Sequence, residues 1–365
     1  MSILNVMWAG GSAFASVHKV HQQILGLAEP GASVNTWLLQ GNAAGCKTKV
    51  GQVREWHLSS ARLKGRHLWK LLAPWMCARF RQALPDDVEV LLLDGLGAAR
   101  VLLPVLKSLP GIRAVVVFHG STRLRRADYK LFNRFPSSRL TLVAVSQTLA
   151  RSVEHDLQVP VTVLRSAFNP VAFGTALLSR EQARSWLGLP LATPVLGAVG
   201  RLVSGKGFLC LLDAFAATLV DQPDLRLVIV GEGPERAVLE ARIEHLGLSD
   251  KVSIPGHLHE AATLYRAFDW VAIPSSDEGL GLILQEAVMA GVPVLVSELA
   301  VFREQLADTG WYAPIGDVGA WSQTINRALG ASAERIAAAQ FRALAPDQAW
   351  KDFSEATQAL LSRRQ

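Results

Sequence analysis

Two glutamates with seven residues between them, Glu278 and Glu286, stand in the stretch VAIPSSDEGLGLILQEAVMAGVPV (271–294). A carboxylate accepts hydrogen bonds only, so each suits the hydroxyls of a sugar or ribose. Between them Gly279, Leu280 and Gly281 form a Gly-Leu-Gly turn, where missing side chains let a backbone approach a ligand closely. A helix opening at that turn directs N–H groups and a positive dipole end at an anion. At 1.5 Å per residue, Glu286 lies about 7–8 Å along the helix from Gly281. A phosphate at the helix start, a sugar beside Glu278 and a ribose beside Glu286 fit that spacing, which is the layout of a nucleotide-sugar site.

A second constellation lies in VLGAVGRLVSGKGFLCLLDAF (195–215), where a strand-like run ends at Gly200 and Arg201 and Lys206 follow in a Gly-rich loop. A guanidinium fork binds oxygens in pairs and an ammonium adds a point charge, so the two cations suit a diphosphate. The spacing is not that of a Walker P-loop. In LVIVGEGPER, Gly231, Gly233 and Pro234 shape a strand-to-helix turn. In the first half, Gly10 and Gly11 end the first apolar run and offer backbone N–H groups to a diphosphate or an acceptor. His119, in VVVFHGS, sits past a strand's C-terminal end, where ligands collect in open α/β sheets.

The 271–294 stretch resembles the donor-binding signature of the retaining glycosyltransferases of family 4, at Pro274, Ser275, Glu278, Gly279, Gly281, Glu286, Ala287, Ala290, Gly291, Pro293 and Val294. Leu280 and Leu282 stand where that family usually has an aromatic, a packing change. The loop at Gly200, Arg201, Lys206 and Gly207 is similar to the family's Gly-Arg-x-x-x-x-Lys-Gly. The resemblance is strong over the second half and weak over the first. It implies two Rossmann-like domains facing across a cleft, the arrangement called GT-B, and a nucleotide-sugar donor, with UDP favoured and GDP open. It implies that Arg201 and Lys206 stabilise the departing diphosphate, that Glu286 holds the ribose and that Glu278 orients the donor sugar. His119 would bind the sugar's hydroxyls, and backbone around Ile254 to Gly256 would face the nucleobase. It further implies retention by a front-face route, with no metal and no cofactor beyond the donor.

These residues need elements to hold them. Apolar runs at 3–8, 33–39, 88–93, 114–118, 140–145 and 161–164, then 194–199, 225–230, 251–254, 269–273 and 293–296, alternate with helical patterns. Runs such as VEVLLLD and RLVIV are apolar at successive positions, as strands buried on both faces must be. The alternation predicts an α/β chain of two doubly wound parallel-sheet domains. RSAFNPVAFG breaks the pattern and sets the boundary: 1–168 for the acceptor and 169–346 for the donor, with a C-terminal helix (347–365) that by resemblance crosses back. Pro74 is expected to kink the helical stretch around it.

Charge divides unevenly. Residues 1–165 carry 21 Lys/Arg against 9 Asp/Glu, and the other 200 carry 16 against 22, so +12 and −6 give the net +6. A basic first half points to an anionic or lipid-linked glycan acceptor, or to a peripheral contact with the inner membrane. The basic stretches are RLKGRHLWKLLAPWMCARFR (62–81) and RLRR (123–126). No nucleic-acid motif accompanies the charge. No apolar run reaches the roughly 18–20 residues of a membrane span. The start reads as a strand rather than a signal peptide, and three scattered cysteines argue against a disulfide framework, so the cytoplasm is the expected compartment. Lipopolysaccharide-core or cell-surface polysaccharide synthesis fits this combination. A transferase for a small soluble acceptor and a catalytically silent sugar-nucleotide-binding module stay open.

Overall fold

A computed structural model describes residues 1–10, 14–43, 51–59 and 68–362, with the backbone alone for 68–73. Contacts divide the chain into two units, Met1–Ser166 with Lys351–Gln365, and Ala167–Trp350. Each is built on one parallel sheet.

The first sheet has β1 (Ser2–Ala9), β2 (Ser33–Gln40), β3 (Gln52–Glu55), β4 (Val90–Asp94), β5 (Arg113–Phe118), β6 (Leu140–Ala144) and β7 (Val161–Val163). Their order is β3-β2-β1-β4-β5-β6-β7. Every residue of β4, VLLLD, is buried, because helices cover both faces and leave no solvent side for polar residues. The chain winds one way from β1 to β2 and β3, and the other way from β4 onward. That reversal places the strand ends of β1 and β4 side by side, where crevices form in such sheets.

The second sheet has β8 (Val195–Val199), β9 (Arg226–Val230), β10 (Val252–Gly256), β11 (Trp270–Ile273), β12 (Val294–Ser297) and β13 (Trp311–Ala313). The order β10-β9-β8-β11-β12-β13 reverses between β8 and β11. A buried arginine ties this unit together. Arg184 donates to the carbonyls of Ala267, Pro190, Leu191 and Thr193 and to Asp269, whose Oδ2 also accepts from the Val195 N–H at 2.7 Å. Desolvation lowers the Arg184 pKa, and the Asp269 carboxylate opposes that shift.

Two details differ from the sequence expectation. The edge strands β3 and β13 were not foreseen, being four and three residues long with weak apolar patterning. The stretch that read as a break at 169–174 is a helix start: Asn169 Oδ1 accepts from the Ala172 N–H at 3.0 Å, and Pro170 occupies the first turn, where its missing N–H costs nothing.

Candidate functional site

In the second unit, the loops after β8 and β11 emerge side by side at the reversal, and the structure locks them together. Ser276 N donates to the Gly205 carbonyl at 2.9 Å, and Ser276 Oγ reaches the same oxygen at 3.3 Å. Gly207, at φ +69°, leaves no room for a side chain: a Cβ there would stand 2.1 Å from the Pro274 carbonyl oxygen. Gly231 is equally constrained, since its Cβ would stand 1.8 Å from the Gly200 carbonyl oxygen, so the glycines after β9 are architectural.

Across this joint, Lys206 Nζ meets Glu278 Oε1 at 2.5 Å, and Ser275 Oγ donates to the same oxygen at 2.8 Å. Two residues 72 positions apart thus form one charged pair, partly buried and facing the loop ends. Arg201, on the same loop, is exposed. Gly281 caps the helix Leu282–Met289 in the left-handed region at φ +79°, with the Phe302 ring where a Cβ would be. The carbonyl of Leu280 accepts from Gln305 Nε2 at 2.6 Å, which pins the Gly-Leu-Gly turn, while the Leu280 side chain is buried, in keeping with a packing role.

Glu286 is buried one turn into that helix and accepts from the Tyr265 hydroxyl at 2.9 Å. Burial and the neighbouring carboxylate push the Tyr265 phenol well above its usual range, so it stays protonated and donates. The carbonyl of Ile254 accepts from Arg236 Nη2 at 3.0 Å, and Arg236 also pairs with Glu232. The resemblance assigned the backbone around Ile254 to Gly256 to a nucleobase; in the structure the Ile254 oxygen accepts this one bond from the Arg236 guanidinium.

The first unit places a different group at its own reversal. Asp94 ends β4, His119 follows β5, and His21 projects from the helix Ala15–Gly26. His21 Nε2 lies 3.0 Å from His119 Nε2, and His119 Nε2 lies 3.8 Å from Asp94 Oδ1. Asp94 Oδ2 accepts the Trp8 N–H at 3.0 Å. Burial lowers the His119 pKa to about 3 with help from His18, lowers that of His21 well below the imidazole range, and raises that of Asp94 to about 6. Among the described residues this is the one His/Asp group whose ligand atoms all lie within 4.8 Å of one another, close enough for a metal ion. The ring centroids, however, are 5.1 Å apart for a 3.0 Å nitrogen gap. That separation means the nitrogens point at each other rather than converging on a third point, the geometry of a hydrogen bond and not of a chelate.

The structure therefore brings together Gly200, Arg201, Lys206, Glu278, Gly279, Leu280, Gly281 and Glu286 within the second unit. His119 lies in the first. The N–H of Gly10 donates to the Gln40 carbonyl at 3.0 Å, and a Cβ there would stand 2.2 Å from the Asn42 carbonyl oxygen, so this glycine makes the turn and its N–H is not offered to a diphosphate. Gly11 lies outside the described residues, as do Lys64 and Arg66. Sequence reasoning passed over Asp94, His21 and Tyr265. Asp94 left a signal, a carboxylate closing an otherwise apolar strand. The other two left none.

Residues 179–345 match the family model "Glycosyl transferases group 1". The chain is 36% identical over 173 residues to the D-inositol 3-phosphate glycosyltransferase of Corynebacterium urealyticum, covering 44% of this chain and 41% of that protein. It is 27% identical to the 2-deoxystreptamine glucosyltransferase of Streptomyces kanamyceticus, over 72% and 73% of the two lengths. A lipopolysaccharide core biosynthesis mannosyltransferase of Rhizobium meliloti is 29% identical, over 55% and 56%. The match thus spans under half of the first of these relatives and just over half of the third. Among solved structures, a glycosyltransferase from Rickettsia africae superposes with a TM-score of 0.79 at 17% identity, covering 100% of this chain and 99% of that one. The Anabaena protein HepE in complex with UDP and glucose superposes with a TM-score of 0.76 at 19% identity, over 98% and 99%. Two parallel sheets flanked by helices are the fold of these GT-B structures.

Proposed function

We propose that this chain is a retaining glycosyltransferase of family 4 that moves a sugar from a nucleotide-sugar donor, UDP-linked by preference, to a glycan. The observation that carries the reading is the Lys206–Glu278 pair, which joins two loops at the second sheet's reversal. When the donor's C1–O bond breaks, its electron pair leaves with the nucleoside diphosphate. Charge then develops on the diphosphate oxygens, where Arg201 and Lys206 stabilise it. Glu278 orients the sugar and favours its oxocarbenium-like state. Glu286, held by Tyr265, accepts from the ribose hydroxyls, and His119 binds a hydroxyl of the sugar. Side chains and helix N–H groups suffice for the leaving group in this reading, so no metal is assigned. The test is a panel of UDP- and GDP-sugars scored by slow hydrolysis, with the anomer of the released sugar read by NMR. Release of the donor's own anomer is expected. An inverted product would overturn retention, and binding of the nucleotide without turnover would leave a silent module.

The acceptor in this proposal is an anionic or lipid-linked glycan, as in lipopolysaccharide core synthesis, met at the cytoplasmic face of a membrane. The support is chemical. Arg123, Arg125 and Arg126 are exposed, and Trp75 is 56% exposed with the Arg79 guanidinium 5.4 Å from its ring. No described helix is long and apolar enough to cross a membrane. Each cation near an anionic surface contributes about 1 kcal/mol. Replacing the three arginines with glutamine should weaken binding to anionic vesicles and leave donor hydrolysis intact. Absence of vesicle binding by the unmodified protein, with transfer to a free neutral sugar, would select a small soluble acceptor instead.

A further inference from the structure

The buried group at the first sheet's reversal shares protons in one direction. Asn5 Nδ2 donates to Thr36 Oγ1 at 3.3 Å, which turns Asn5 Oδ1 toward His21 Nδ1 at 2.7 Å. An amide oxygen only accepts, so the His21 proton sits on Nδ1 and its Nε2 is bare. His119 Nε2, 3.0 Å away, must then carry the proton that bridges the two rings. Rotating the Asn5 amide would reverse every bond in this chain, because the Thr36 hydroxyl can donate or accept. Asp94 decides between the two directions. Its Oδ1 lies 3.8 Å from His119 Nε2 and so faces an N–H in the first arrangement, but a lone pair in the second. An anionic oxygen favours the first.

We infer that His21 and Asp94 are positioning residues that hold His119 in the Nε2–H form, so that its Nδ1 is an acceptor for a hydroxyl of the donor sugar. The sugar half rests on the function proposed above; the protonation half stands on the hydrogen-bond geometry alone. Both rings are kept neutral by burial, so the group delivers direction rather than charge. A neutral acceptor selects a sugar hydroxyl that donates, and it does so without attracting the diphosphate.

The experiment is two-bond proton–nitrogen correlation on the full chain labelled with ¹⁵N-histidine, which reads which ring nitrogen bears hydrogen. A bare Nδ1 on His119 and a protonated Nδ1 on His21 are expected. A protonated Nδ1 on His119 overturns the inference whatever the activity. Asn5→Leu removes the acceptor that sets the direction and should mix the two forms of His119. It should also raise KM for the donor about three- to tenfold, the effect of one neutral hydrogen bond, with nucleoside diphosphate affinity unchanged. Asn5→Asp, read at a pH that ionises its carboxyl, also only accepts, so it should restore the spectrum and bring KM back relative to Asn5→Leu. If Asn5→Leu misfolds, Asp94→Asn tests the same selection: its His119 signals should shift toward the reversed form. A changed protonation pattern with unchanged KM removes the sugar from the inference. Failure of every sugar nucleotide to turn over would sink the proposed function, while the spectra would still decide the protonation state.

Discussion

The two units reverse their winding in the same way, yet they fill the crevice differently. In the second, at β8 and β11, the groups are charged, partly exposed and paired across two loops, Lys206 with Glu278. In the first, at β1 and β4, they are buried and neutral, two imidazoles head to head beside a carboxylate whose pKa burial lifts to about 6. One crevice holds a charged, partly exposed pair and the other holds buried rings that burial keeps neutral. The same topology sets the place in both cases, and solvent access sets the chemistry.

The largest test of this contrast is acid. His119 has a folded pKa of about 3 against 6.5 in an open chain, so its contribution to stability is present above pH 6.5 and is lost as pH falls toward 3. At about 1.4 kcal/mol per pH unit, it alone loses about 2 kcal/mol between pH 6.5 and pH 5. His21 acts in the same direction. Asp94 acts oppositely: its raised folded pKa contributes stability at low pH that is lost as pH rises through about 6. Urea titrations with pulsed hydrogen exchange at pH 7 and pH 5 should show β1, β4 and β5 weakening while β8 and β11 hold. Equal loss in both units would erase the contrast.

A smaller effect is expected from the charged crevice. Lys206→Ala and Arg201→Ala should each lower turnover at least tenfold, about 1.4 kcal/mol of transition-state stabilisation, without lowering the melting temperature appreciably. Near-normal kinetics in both would remove the diphosphate from this crevice.

The smallest effect should come from the buried hydrogen bond between Tyr265 and Glu286. Glu286→Gln should weaken nucleoside diphosphate binding with turnover at saturation little changed. Tyr265→Phe should do the same by about three- to tenfold, as one hydrogen bond predicts. Glu278→Gln should instead reduce turnover and spare nucleotide affinity. Calorimetry on the three variants separates these outcomes, and the opposite pattern would exchange the roles of the glutamates.

Legibility in the sequence follows the same divide. The second unit's candidate residues fall in short local motifs, each a strand end plus a loop, so Arg201, Lys206, Glu278 and Glu286 were singled out by spacing together with the family resemblance. The contact between Lys206 and Glu278 could not, because it depends on β8 and β11 being neighbours, 72 residues apart in the chain. The first unit's group draws Asn5, His21, Asp94 and His119 from four segments, and their meaning arises only from burial together. His119 was legible through its place after a strand; His21, on a helix face with apolar neighbours, looked like any core residue. The central strands were legible from runs of apolar residues, whereas β3 and β13, at the sheet edges, bury too little to leave such a run.

The fit of Gly207 against Pro274, and of Gly231 against Gly200, has a bearing on engineering. At these two points the loops after β8, β9 and β11 touch backbone to backbone, with no glycine side chain between them to absorb a change of shape. Such loops behave as one replaceable part. Grafting residues 274–281 alone from a relative with another donor preference would import a loop cut to a different partner, and the chimera should lose nucleotide affinity rather than change its choice. Transplanting 200–207, 231–235 and 274–281 as a set keeps the mating surfaces together, and under the proposed function that three-piece cassette is the exchange expected to carry donor choice with it.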